Sequence, residues 1–127
     1  MTDRTARPTF PWPWALGIDV VLVVVFATIG RASHAHALDA LGIAETAWPF
    51  LVGLAVGWLA LLAWRAPAAL LRTGLPLVAI TVVAGMLLRL LTNAGTAPAF
   101  IVVATVTLAV FLLGWRATAL LIARRRA

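Results

Sequence analysis

Asp19 is the single acidic residue inside an apolar stretch of this sequence, and Arg31 and Arg89 stand where two such stretches stop. A carboxylate surrounded by lipid is costly unless it is paired or carries a proton or cation. Asp19 therefore has two uses: a fixed ion pair with Arg116 or Arg65, which fall near the same level, or a relay. One acid without a second along the path is a poor proton wire, so the pair with Arg116 is the expectation.

Arg31 and Arg89 also admit two readings. At the C-terminal ends of their helices, cations complement the negative end of the helix dipole and can snorkel to the headgroups. A salt bridge from Arg31 to Asp39 or Glu45 would complete that structural account. The other reading is an anion site. If the next helices open at Thr46 and Thr96, their positive ends face the same layer, and two guanidinium groups there can grip a phosphate or carboxylate.

The other polar residues carry less. His34 and His36 are two apart, so their side chains diverge on a helix, and they match no metal-ligand spacing. Ser33 beside His34 lacks the geometry of a catalytic pair. With no cysteine, no tyrosine and one serine, the chain offers no disulfide, thiolate site or cysteine nucleophile. We expect no enzyme, no metal and no cofactor.

These residues need helices in a membrane to position them. The 127 residues are 64% hydrophobic and 11% charged, more apolar surface than a small soluble core can bury. Spans are expected at about 14–30, 47–64, 75–91 and 97–115. Thr46, Thr73 and Thr96 read as N-caps, each followed by a proline in the first turn. Pro67, and Asn93 with Gly95, read as helix-ending signals.

The net charge of +6 comes from ten arginines gathered at span ends and not on one continuous face, which argues against nucleic-acid binding. Eight of them, Arg4, Arg7, Arg65, Arg72, Arg116 and Arg124 to Arg126, fall on one side, so both termini are expected in the cytoplasm of a cell-membrane protein. Trp12, Trp14, Trp64 and Trp115 would form an interfacial belt there. This divides the chain into a tail over 1–13, a membrane domain over 14–122 and a basic tail over 123–127. The first run with Ala35-His36-Ala37 imitates a cleaved signal, but it is long and Asp19 interrupts it, so it reads as the first helix.

The second and fourth spans resemble each other: Thr46-Ala47-Trp48-Pro49-Phe50 matches Thr96-Ala97-Pro98-Ala99-Phe100, and both spans close on Trp-Arg-Ala. Two similar hairpins would then place Arg31 and Arg89 equivalently, as in parallel-repeat transporters. Gly53 and Gly57 form a GxxxG step, extended by Ala60 and Trp64, for close helix packing within the chain or between two chains.

The landmarks Ile29-Gly30-Arg31-Ala32-Ser33-His34, Thr46-Ala47-Trp48-Pro49-Phe50-Leu51, Gly57-Trp58, Gly85-Met86-Leu87-Leu88-Arg89 and Gly95-Thr96-Ala97 resemble a domain-of-unknown-function family of small four-span prokaryotic membrane proteins. The resemblance covers nearly the whole chain. It implies a multi-pass membrane protein and no particular activity.

The expectation is an all-α, four-helix transmembrane bundle made of two similar hairpins. Its role is binding or transport of a small anionic or amphipathic ligand, such as an anionic lipid, by Arg31, Arg89, Thr46 and Thr96. The alternative is a non-catalytic accessory subunit, with the glycine face meeting a homodimer or complex partner.

Overall fold

Four helices follow from four apolar runs broken by proline, glycine and charge. The computed structural model describes residues 10–33 and 39–126. It consists of α1 (Trp12–Ser33), α2 (Ala40–Ala60), α3 (Leu75–Leu91) and α4 (Pro98–Arg126), all long and apolar enough to cross a membrane when α3 is counted with the turn before it. His34, His36 and the Ala35-His36-Ala37 triplet lie outside the described residues. The fold is all-α and contains no strand among the described residues.

The threonine caps are corrected. α2 starts seven residues before Ala47, capped by Asp39, whose carboxylate accepts from the Gly42 N–H at 2.8 Å. Aspartate is among the strongest N-caps, which outweighs the Thr-x-x-Pro pattern. Thr46 instead lies inside α2 and donates to the Gly42 carbonyl at 3.2 Å, while Pro49 is interior. Thr96 also fails as a cap: it precedes Ala97, whose carbonyl accepts from the Ile101 N–H at 3.0 Å.

Between α2 and α3 the backbone leaves the α-helix. Leu62 takes a left-handed conformation (φ 50°), and a 3-10 turn follows over Ala63–Arg65. A π-helical segment over Leu70–Gly74 is closed by the Gly74 N–H on the Ala69 carbonyl at 2.9 Å. Irregular backbone at membrane depth must find its hydrogen bonds inside the protein. Thr73, expected as a cap, supplies one by donating to the Ala66 carbonyl at 2.6 Å. The α3–α4 loop turns through Asn93 (φ 57°) and Gly95 (φ 91°), the two residues read as helix-ending signals. α4 then runs unbroken to Arg126, well beyond Trp115.

α2 and α3 pack most closely, and glycine is the reason. A Cβ at Gly53 would sit 2.8 Å from the Thr81 carbonyl oxygen, and one at Gly57 would sit 2.6 Å from Leu77 Cδ1. The GxxxG face is thus filled by α3 of the same chain, which removes it as a surface for a partner helix. Ala60 is exposed and Trp64 lies in the 3-10 turn, so neither extends that face. Phe26 and Phe50 meet edge to face at 5.0 Å in a core shared with Val23, Leu54, Leu77 and Leu108. Large apolar side chains such as Val21, Leu59, Val83 and Val106 face outward, as lipid-exposed helices require.

Candidate functional site

Two polar centres interrupt this apolar bundle. The first is built on Asp19, two turns into α1, and on Arg116 of α4, both fully buried. Their contact is bidentate: Nη1 donates to Oδ1 at 2.9 Å and Nη2 to Oδ2 at 2.7 Å. Two indoles complete the carboxylate's shell. Trp58 Nε1 donates to Oδ2 at 2.9 Å, and Trp115 Nε1 to Oδ1 at 2.8 Å. Four donors fill the acceptor sites of a carboxylate.

The arginine uses four of its five N–H donors. Arg116 Nε donates to the Pro67 carbonyl at 3.0 Å and Nη1 to the Leu112 carbonyl at 3.0 Å. The guanidinium therefore ties α1, α4 and the irregular α2–α3 connection into one unit. A buried pair costs much desolvation, which only such extensive hydrogen bonding offsets. Asp19 pairs with Arg116 as expected, while Arg65 is exposed. Trp115 is a half-buried Asp19 ligand and not a belt residue, because its N–H turns inward; Trp12, Trp14 and Trp64 are exposed. Trp58 was missed from sequence, since nothing local links it to a residue 39 positions away.

The second centre lies at the opposite end, where α1 and α3 finish and α4 begins. A cavity of about 390 Å³ is lined there by Arg31, Glu45, Thr46, Arg89, Gly95 and Phe100, among others. It brings together three of the four residues expected to hold an anion. The fourth, Thr96, is not among the lining residues, although its neighbours Gly95 and Ala97 are. Arg31 Nη1 donates to Thr46 Oγ1 at 3.4 Å, and its guanidinium lies over Gly42, where any Cβ would collide with it.

Arg89 is held by its own loop. Nε donates to the Gly95 carbonyl and Nη2 to the Ala94 carbonyl, both at 2.9 Å, and the guanidinium carbon stands 4.3 Å from the Phe100 ring centre. These contacts fix the plane of the group at the cavity wall. Because α2 starts at Ala40, its N-terminus does not sit at Thr46 as the anion-site reading required. The start of α4 does reach the cavity, through Ala97.

The family model described as "Protein of unknown function (DUF3054)" matches residues 16–119. The chain belongs to the DUF3054 family. No curated protein and no solved structure matches it. Both polar centres of this DUF3054 chain lie inside the matched residues, the buried pair as well as the cavity. The DUF3054 region therefore comprises the four helices without the first turn of α1 (12–15) and the last two, arginine-bearing turns of α4 (120–126).

Proposed function

We propose that this multi-pass membrane protein binds a small anionic or amphipathic ligand in the cavity at the ends of α1 and α3, as a carrier or binding protein and not as an enzyme. One observation carries this reading: Arg31 and Arg89, 58 positions apart in the chain, line the same cavity of headgroup size together with Thr46. Guanidinium groups bind phosphate or carboxylate in fixed, planar geometry. Arg65, Arg72 and Arg124 to Arg126 gather at the other end, which supports a reading with both termini in the cytoplasm and the cavity at the outer surface of the cell membrane. Each of two similar hairpins then contributes one arginine.

Native mass spectrometry of the chain extracted with its lipids tests this. A stoichiometric ligand is expected in the wild type, and its loss in Arg31→Ala and in Arg89→Ala. Arg→Lys at either position restores binding only in part, since lysine lacks the fork. If both alanine variants fold and keep full occupancy, the ligand sits elsewhere. α4 is the least buried of the four helices, which favours its flank as the contact surface in the accessory-subunit reading. In that case a larger complex, and no small ligand, is recovered.

A further inference from the structure

We infer that the cavity selects a zwitterion, a phosphate or carboxylate joined by a short linker to a primary ammonium, with the two arginines on the anionic group and Glu45 on the ammonium. This rests on the anionic-ligand reading above and narrows it.

The wall of the cavity has both signs. Arg31 and Arg89 line it, and so does Glu45, an exposed residue in the second turn of α2. Among the described residues Glu45 has neither an ion pair nor a side-chain hydrogen bond, in contrast to Asp19, whose carboxylate is saturated. A carboxylate in the wall repels a ligand that is only anionic and attracts one that brings its own cation.

An ammonium with three N–H groups can donate to the Glu45 carboxylate; a quaternary ammonium has no N–H to offer. Phe100, the aromatic face in the wall, already carries the Arg89 guanidinium, which leaves Glu45 as the cation-binding element. The ligand is thus an aminoalkyl phosphate or amino acid, either as a lipid headgroup or as a free molecule.

The full chain, stripped of lipid in detergent, is offered phosphatidylethanolamine, phosphatidylglycerol and phosphatidylcholine with identical acyl chains, and bound lipid is counted by native mass spectrometry. Phosphatidylethanolamine is expected to bind about tenfold more tightly than either of the others. Glu45→Gln, at an exposed position, keeps the unfolding midpoint and erases the preference over phosphatidylglycerol. Equal or tighter binding of phosphatidylglycerol by the wild type, abolished by Arg89→Ala, overturns the zwitterion and leaves the anion site standing. Binding of all three lipids unchanged in Arg31→Ala and Arg89→Ala overturns both. Free phosphoethanolamine separates the sources: displacement of the lipid indicates a soluble zwitterion, and failure to displace it indicates a lipid whose chains contribute, each in keeping with the proposal.

Discussion

Trp115 and Arg116 are neighbours on α4, yet both donate to the same oxygen, Oδ1 of Asp19, at 2.8 and 2.9 Å. Successive helical residues point about 100° apart, so two long side chains must bend toward one another to share an acceptor. The guanidinium carbon of Arg116 accordingly lies 4.6 Å from the Trp115 ring centre. Sharing of this kind makes the pair and its indoles one energetic unit.

Asp19→Ala and Arg116→Ala are each expected to cost about 3 to 5 kcal/mol, because either leaves a buried charge alone. The double variant should recover much of that loss. Thermal unfolding of the four proteins in detergent, arranged as a double-mutant cycle, measures the coupling. Additive losses would mean that the two groups do not depend on each other.

Trp58→Phe and Trp115→Phe each remove one charge-assisted hydrogen bond, worth about 1.5 to 3 kcal/mol. Their combined effect should differ from the sum, since both indoles serve one carboxylate. Unfolding midpoints of the single and double variants decide the point. A tryptophan variant as stable as the wild type would remove its indole from the unit.

Gly53→Ala presses a methyl group onto the Thr81 backbone and should destabilise by about 1 to 3 kcal/mol without changing the oligomeric state. Gly17→Ala enters open space and should stabilise by up to about 1 kcal/mol through helix propensity. Light scattering with unfolding curves checks both. A change in subunit number on Gly53→Ala would place that face between chains.

Asp39→Ala should lower stability by about 0.5 to 2 kcal/mol, with Asp39→Asn recovering most of it, because the side chain caps α2. Thr96→Ala should leave stability within about 0.5 kcal/mol. The opposite ranking in thermal unfolding would return the caps to the threonines.

The number and class of the helices are legible in the sequence because four apolar runs of spanning length have one solution in lipid. The pairing of Asp19 with Arg116 is legible for a similar reason: a charge at that depth needs an opposite one at the same level. The helix starts are not. Thr46 followed by Pro49 imitates a cap and first-turn proline, but the Asp39 cap starts α2 earlier and leaves Pro49 a buried interior residue. Arg31 and Arg89 announce themselves as charges at span ends, whereas the role of Glu45 in the cavity wall depends on where α2 begins, which Asp39 decides. The two indoles on Asp19 come from positions that no periodicity connects.

Asp19 and Arg116 stand 97 residues apart, and ribosomes make the first long before the second. At about 5 to 20 residues per second, the carboxylate is synthesised several seconds before its guanidinium exists. During that interval Asp19 makes α1 a poor guest for lipid, and a chain broken off before α4 keeps this defect permanently. The first helix is thus completed by α4: only a chain elongated past Arg116 can neutralise the charge that α1 carries.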